Sequence, residues 1–594
     1  MKNLLKKKIE SFWKKKSELI NWTNKPKKII DNFFFYSDGV LNASYNCLKK
    51  NIDNGLGNKI AIVYVDKNGL FLKLTYNELE NLVDHFINYL LSNFYKKELL
   101  SNIIAIHSSA NLISSISMLA CAKLGITHCV LFEDLSKEAI KIRLKLLKSK
   151  ILITSADLDT FNLKIKNQKK IKKITFFLET NKFKNQFNID MKNFILKKNF
   201  NPFKYKYAKV KSNKPFFVLF TSGTTGVPKG IIHSTGGYLV YTKYTCKNQF
   251  GMNKNTVMLT ASDAGWMNGH TYALYGPLLM GAKTILIERP MSLINETLFK
   301  KILLNEKVSI LYLPVTLIRL MRSIDEKIRI KSKYIKTLGS MGEPLSKHIG
   351  IWFSKKFSFK NLQIVNAYYQ TENSAILASP KFNDSIKKVP FGTVGKQVNS
   401  ILGIFLDKLD SNKSELKIKN PWPGCMIGII NGKKQFKKYW DSKSNFRLFD
   451  YASLDENKNI IIHGRLDDVI NIRGHRIGSA EVESVLLKDK NIHEVCAIGV
   501  PDELEGDLLI IFISSKHKKL DHVIKRIMVE NFGIFATPKL IYYIPEMPKT
   551  RSGKILRRLL RDLYYKPDTK EMGDLSTMVN PESVNKIKTI LKNI

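Results

Sequence analysis

Phe216-Phe217-Val218-Leu219-Phe220-Thr221-Ser222-Gly223-Thr224-Thr225-Gly226-Val227-Pro228-Lys229-Gly230 is an apolar run that breaks abruptly into hydroxyls, glycines and one lysine. The apolar half reads as a buried strand, since it offers no polar face to solvent. Gly223 and Gly226 let the backbone turn sharply and bring its N–H groups close to a ligand. Thr221, Ser222, Thr224 and Thr225 add hydroxyl donors, and Lys229 adds a mobile positive charge. A loop of this composition can follow the oxygens of a polyphosphate. It is not the Walker pattern, because no Gly-Lys-Ser/Thr closes it and opens a helix. A surface linker rarely follows so apolar a strand, so the stretch is read as a nucleotide-phosphate loop.

The surrounding composition fits a soluble, multidomain protein. The chain has 594 residues, 44% of them hydrophobic, which suffices for several domains and a large core. Residues 1–22 alternate lysine clusters with short apolar pieces, so no signal peptide is expected, and no apolar run reaches the length of a membrane span. The six cysteines show no CxxC or Cys/His spacing, which argues for reduced thiols, against a zinc site, and for the cytoplasm. A net charge of +46 invites a nucleic-acid reading. The lysines are nevertheless spread along the chain among Asn and Ile, with no interleaved aromatics and no nucleic-acid module, so solvated faces explain them better.

Outward from the loop, strands alternate with helices. Residues 60–64, 103–107, 129–132 and 151–154 read as strands. The spacing of Leu79, Leu82, Val83, Phe86, Ile87 and Leu90 predicts a helix over 75–92 behind an N-cap at Thr75. A largely apolar helix is expected over 111–124. This alternation argues for α/β layers with parallel sheets. Residues 33–46 look too irregular for a helix, and 158–208, rich in Lys and Asn, is assigned only as peripheral. Strand-like runs at 310–313, 335–338 and 362–365 precede Gly342-Glu343-Pro344 and Asn366-Ala367-Tyr368-Tyr369-Gln370-Thr371-Glu372. Polar residues just beyond strand C-termini lie where ligands bind in open α/β sheets. Trp266, Met267 and Asn268, among small residues, suggest a lined pocket. A second, smaller unit begins near residue 464. It holds a helix over 479–487 with Ser/Glu capping chemistry, strands over 495–500 and 508–514, and a helix over 521–532.

Taken together, these stretches resemble the adenylate-forming, acyl-activating enzymes, and most of all their AMP-forming acetyl-CoA synthetase branch. The match is carried in order by residues 221–230, Gly342-Glu343-Pro344, Tyr369-Gln370-Thr371-Glu372, residues 465–483 and Arg551-Ser552-Gly553-Lys554. Residues 33–47, the stretch from Val240 to Gly276-Pro277-Leu278, and residues 573–577 tie it to that branch. The resemblance covers nearly the whole chain apart from 158–208. It implies an α/β fold with a large multi-sheet adenylation domain (1–466) and a small mobile α+β domain (467–594), hinged at Asp467.

It also implies carboxylate plus ATP giving acyl-AMP and pyrophosphate, then acyl-CoA and AMP, with Mg²⁺ and coenzyme A as cofactors. The expected partners are small molecules, with neither nucleic acid nor membrane. A carboxylate is already ionised near pH 7 and needs no base to attack phosphorus, so the site must supply positioning and positive charge. By the resemblance, Lys554 meets the α-phosphate and reacting carboxylate, Glu372 ligates Mg²⁺, and Thr371 touches the α-phosphate. Gly342, Glu343 and Pro344 flank the adenine together with Asn366, Ala367, Tyr368 and Tyr369, next to Gln370. Asp450 accepts the ribose hydroxyls with Arg465 beside it. Asn471 and Arg476 serve the phosphates or the second half-reaction, and Arg473 and Gly474 line the thiol side. Trp266, Met267, Asn268 and Tyr369 wall the acyl pocket.

The chain departs from that pattern in places. Tyr369 stands where acetate-using relatives usually carry a second tryptophan, and Met267-Asn268 replaces Val-Thr. No Arg-Gly-Gly-Arg-like stretch follows residues 153–157, Arg473 replaces a small serine, and Val529 replaces an arginine. Two alternatives therefore stand beside a short-chain acyl-CoA synthetase: an adenylating enzyme serving another thiol, and a binding protein on a retired scaffold.

Overall fold

The structure is a computed structural model. It describes residues 2–31, 34–133, 135, 137–155, 172–177, 188–190, 194, 203–221, 228–324, 328, 330–409, 414–472, 475–502, 506–515, 520–550, 553–567 and 578–592. Two large sheets dominate the first two-thirds of the chain. In the eight-stranded sheet, Asn188–Asp190, Lys172–Phe177, Ile151–Thr154, Ile104–His107, His128–Leu131 and Pro215–Thr221 run parallel in that spatial order. Lys229–Ser234 then pairs antiparallel with Pro215–Thr221, and Gly428–Ile429 closes the edge. In the seven-stranded sheet, Ile364–Asn366, Thr337–Met341, Ile310–Pro314, Val257–Thr260, Lys283–Ile287 and Ile60–Val65 are parallel, with antiparallel Phe71–Thr75 at the end.

Between these layers lie helices with little or no polar face. Every residue of Leu112–Leu124 is buried, and Thr235–Phe250 is nearly so. Tyr76–Asn93 is amphipathic, and its start is set by a reciprocal capping box: Glu78 N–H donates to Thr75 Oγ1, and Thr75 N–H donates to the Glu78 carboxylate. Its polar residues reach inward at one point. Lys123, 1% exposed, pairs with Glu80 and, at 2.6 Å, with Asp84; its ammonium also lies 4.3 Å from the centroid of the Tyr207 ring. Burial pushes the Asp84 carboxyl up while Lys123 pulls it down.

A four-stranded antiparallel sheet, Ile404–Lys408, Ser414–Ile418, Phe446–Leu454 and Ile460–Arg465, follows. Its last pair sets Asp450 opposite Arg465. After a 3₁₀ turn at Leu466–Asp468 come Val469–Ile472 and His475–Gly478, then Ile492–Asp502 paired with Gly506–Ser515, and Leu540–Tyr543 parallel to the latter. Helices Ser479–Leu486, Asp521–Phe532, Arg557–Tyr565 and Glu582–Lys592 cover this sheet around cores of their own.

Several sequence expectations need correction. Within 33–46, Ala43–Cys47 forms a short helix, because Asn42 caps it by accepting from Tyr45 N–H and is itself fixed by donating to Ala122, Lys123 and Ala208 carbonyls. The strand expected at 335–338 is Thr337–Met341: pairing with Ile310–Pro314 carries it through Gly339 and Ser340. The strand expected at 362–365 is Ile364–Asn366. Gly478, not a serine, is the N-cap of Ser479–Leu486, and Glu481 supplies only the return bond to Gly478 N–H. The described parts of 158–208 include the edge strand of the eight-stranded sheet, Asn188–Asp190, and its neighbour Lys172–Phe177.

Removing one member of a buried ion cluster strands the others without solvent. Lys123→Ala should therefore cost about 3–5 kcal/mol in denaturant unfolding. Lys123→Met combined with Glu80→Gln and Asp84→Asn should recover most of that loss.

Candidate active site

The C-terminal ends of the large sheets, the Asp450–Arg465 strand pair and the loop bearing Lys554 converge on one cleft. At its centre Asp450, 5% exposed, accepts from three donors. Tyr368 Oη and Gln370 Nε2 (2.6 Å) donate to Oδ2, and Arg465 Nη1 donates to Oδ1 at 3.1 Å. Gln370 and Arg465 also donate to the Leu448 carbonyl, which ties the 368–370 loop to the strand carrying Asp450. Burial pushes the Asp450 carboxyl up, and Arg465, Tyr368 and Gln370 pull against it. Oδ1, with a single donor among the described residues, keeps capacity for a ligand hydroxyl.

Gly342 sits at φ +89° with open space where a side chain would begin, so the 341–344 turn presents bare backbone to the cleft. Glu343 is not free to bind a base: Arg319 Nη2 pairs with its Oε2, and Thr316 Oγ1 donates to Oε1 at 3.1 Å. Asn366 is also engaged, accepting from Ser340 Oγ and donating to the Thr393 carbonyl.

On the phosphate side, Pro215–Thr221 and Lys229–Ser234 form the two arms of an antiparallel hairpin, with Thr221 opposite Lys229. Ser222, Gly223, Thr224, Thr225 and Gly226 lie outside the described residues. Lys229 Nζ stands 5.9 Å from the Tyr439 ring centroid, and Tyr439 Oη donates to Glu372 Oε1 at 2.7 Å. His233 lies behind, its Nε2 2.8 Å from the Thr371 carbonyl; burial lowers the imidazole to about 4, so it is the neutral ring that donates. Among the described residues no group of three His, Cys, Asp or Glu could hold a metal. A Mg²⁺ here would use the Glu372 carboxylate, with phosphate oxygens and water completing its shell, as that ion prefers.

The pocket beside it is closed by aromatics. Trp266 packs on Phe132 with centroids 4.9 Å apart, and Tyr369 meets Tyr272 edge-on at 5.9 Å. Asn268 is buried with both ends of its amide in use: Nδ2 donates to Thr260 Oγ1 at 2.9 Å and Oδ1 accepts from Tyr369 Oη at 3.3 Å.

Lys554 enters from the opposite wall. Thr550 N–H donates to the Lys554 carbonyl and Lys554 N–H to Thr550 Oγ1, which closes a tight turn through Gly553 at φ +81°. A Cβ on Gly553 would come within 2.5 Å of Thr316 Cγ2, so only glycine lets this turn seat against the helix Val315–Ser323. Lys554 projects into the cleft and keeps solvent access, yet the protein around it lowers its ammonium, first by desolvation and then through Arg465 and Arg557. Asp468 and Asp450 oppose that shift. Lys554 therefore stands within electrostatic reach of both Asp450 and Arg465.

Asp467 lies in the 3₁₀ turn and Asn471 opposes Arg476 across a strand pair, although the side chains of all three lie outside the described residues. Arg473 and Gly474 lie outside them altogether.

Residues 50–428 match the family described as AMP-binding enzyme, and residues 481–554 match the AMP-binding enzyme C-terminal domain. The chain belongs to the AMP-binding enzyme family. It is 30% identical to the acetyl-coenzyme A synthetase of Cupriavidus necator, over 98% of this chain and 93% of that protein. It is 31% identical to acetyl-coenzyme A synthetase 2 of Candida albicans, over 93% and 86% respectively. In fold it is similar to the acetoacetyl-CoA synthetase of Streptomyces lividans, with a TM-score of 0.83 at 18% identity, covering 99% of this chain and 93% of that one. It is also similar to the anthranilate CoA ligase AuaEII, solved in complex with anthranoyl-AMP, with a TM-score of 0.72 at 18% identity over 88% and 97%.

Sequence reasoning missed four residues: Thr316, Arg319, Tyr439 and Asn580. None sits in a recognisable motif, and each matters through a contact made across the fold. Asn580 shows this best. Lys549 N–H donates to its Oδ1 at 3.3 Å, while its Nδ2 donates to Glu546 Oε2 and the Met547 carbonyl. Val579 N–H donates to the Lys549 carbonyl, so residues 578–580 clamp the segment that leads into the Lys554 turn. Losing that clamp removes about 1–3 kcal/mol of buried hydrogen bonding. Asn580→Ala should slow any step that needs Lys554 roughly tenfold, while far-ultraviolet circular dichroism stays unchanged.

Proposed function

We propose that the chain is an AMP-forming acid–thiol ligase of the acetyl-CoA synthetase type, acting on acetate or another short-chain acid. The observation that supports this reading is that Lys554 lines the same cleft as Asp450 and Arg465 and feels both charges; on this reading its ammonium meets the reacting carboxylate and the α-phosphate of ATP. In the first step a carboxylate oxygen bonds to the α-phosphorus, the bond to the bridging oxygen breaks, and pyrophosphate leaves. Lys554 neutralises charge that builds on the α-phosphoryl oxygens, which is electrostatic stabilisation of the kind phosphoryl-type transfer requires. Asp450 Oδ1 accepts from the ribose, the 341–344 and 366–369 segments bracket the base, and Lys229 and the Thr221 loop hold the leaving group. Bound Mg²⁺, held by Glu372, would neutralise phosphate charge.

In the second step the sulfur of coenzyme A attacks the acyl carbonyl and AMP leaves with the electron pair of the broken C–O bond. On this reading residues 1–466 form the adenylation domain and residues 467–594 a mobile domain pivoting at Asp467. The six free cysteines, five of them buried, suit the cytoplasm. No described helix is long and apolar enough to cross a membrane.

Lys554→Ala should remove acid-dependent pyrophosphate exchange, a loss of about 3 kcal/mol or more in transition-state stabilisation. Thioester formation from supplied acyl-AMP should survive. Exchange at the parental rate in that variant would show that Lys554 has another role.

Tyr369 caps the acyl pocket beside Asn268, whose amide keeps one N–H and one lone pair beyond its bonds to Thr260 and Tyr369, so the favoured acids have about two to four carbons, with or without a polar end, and each methylene is worth about 1–3 kcal/mol. Tyr369→Gly should move the preference toward longer chains in kcat/KM. Efficient use of an eight-carbon acid by the unmutated protein would contradict this account of the pocket.

A further inference from the structure

One limb of the cleft is lined neither by the nucleotide-side residues nor by the walls of the acyl pocket. It lies between the C-terminal ends of the two large sheets, where Ser109, Glu133 and Ser155 follow strands of one sheet and Asp263 follows Val257–Thr260 of the other. It adjoins Trp266, whose indole packs on Phe132. An acceptor approaching a carbonyl held against Trp266 has this limb as its route.

Asp263 is held rigidly at the limb's inner end. Its Oδ1 accepts from Gly265 N–H at 2.7 Å and its carbonyl accepts from Trp266 N–H at 3.2 Å. The turn has no slack, since a Cβ on Gly265 would fall 2.7 Å from the Phe132 ring and one on Gly269 would fall 2.1 Å from the Asp263 carbonyl. The second carboxylate oxygen, Oδ2, has no hydrogen-bond partner among the described residues. A structural turn residue needs only the oxygen that Gly265 uses.

We propose that Asp263 is the general base that takes the proton from the acceptor thiol in the second half-reaction. This rests on the ligase reading above. A thiol ionises near pH 8.5, so only a few per cent is thiolate at pH 7 and a base at the sulfur raises the rate. As the S–H proton passes to Oδ2, the sulfur lone pair forms the bond to the acyl carbon. The bond from that carbon to the AMP oxygen breaks with its electrons on AMP, and the protonated Asp263 then releases its proton to the cleft solvent. Burial, together with the Glu133 carboxylate across the limb, raises the Asp263 carboxyl to about 7, against the pull of Gly265 N–H. Glu133 is the charged group whose field raises it, and Ser155 Oγ lies 3.4 Å from Glu133 Oε1. A base poised there is half ionised at working pH, where general-base catalysis is most effective.

The test is single-turnover thioester formation from supplied acyl-AMP and coenzyme A between pH 6 and 9.5, with acid-dependent pyrophosphate exchange measured in parallel. Asparagine can still accept from Gly265 N–H, so Asp263→Asn keeps the turn and removes only the base. The parent should show a rising limb near pH 7. Asp263→Asn should be slower by about 100-fold at pH 7 and close the gap as the thiol ionises by itself. An asparagine variant that tracks the parent across the range overturns the proposal. If the variant loses exchange as well, Glu133→Gln decides: removal of that like charge should move the parent's limb to lower pH, and an unmoved limb overturns the proposal. Absence of exchange in the unmutated protein would instead defeat the ligase reading.

Discussion

A carboxylate buried among three donors holds the cleft in shape. Asp450 is nearly inaccessible, and its charge is tolerable because Tyr368, Gln370 and Arg465 all donate to it. Those donors come from a loop beyond one sheet and a strand of another. The carboxylate therefore fixes the distance between the strand end that carries residues 364–372 and the four-stranded sheet. It also sets the local potential: the positive groups Arg465 and Lys554 gather where Asp450 supplies the compensating charge. An anionic ligand placed there meets Arg465 and Lys554 on a rigid frame, and little reorganisation is left for the moment of reaction.

The Lys554 turn reaches that frame by steric fit. Gly553 has no side chain to collide with Thr316, and the hydrogen bonds through Thr550, Lys549 and Asn580 stiffen the turn before it arrives. Thr316 also donates to Glu343, which pairs with Arg319. The helix Val315–Ser323 thus touches the lysine turn and the 341–344 turn at once.

Much of this was legible in the sequence, for identifiable physical reasons. The strand before the phosphate loop, the helix capped at Thr75 and the helix Asp521–Phe532 follow from local periodicity and capping, which operate within one element. The sequence also pointed to the cleft as the meeting place of residues after Met341 and Asn366, since strand ends are where α/β sheets leave polar backbone exposed. It missed what only tertiary pairing decides. The strand through Gly339 and Ser340 exists because Ile310–Pro314 runs beside it, against local β-propensity. Glu343 and Asn268 also hold contacts that no local pattern shows, with Arg319 for the one and with Thr260 and Tyr369 for the other. Asn580 lies beyond every motif, and only chain reversal brings it to Lys549.

The central claim is that this frame joins a small carboxylic acid to AMP before any thiol is needed. Pyrophosphate–ATP exchange with two- to four-carbon acids, in the complete absence of coenzyme A, tests it most directly. The account predicts Mg²⁺-dependent exchange that appears only when acid is added. Exchange that is absent, or that starts only when coenzyme A is supplied, would contradict it.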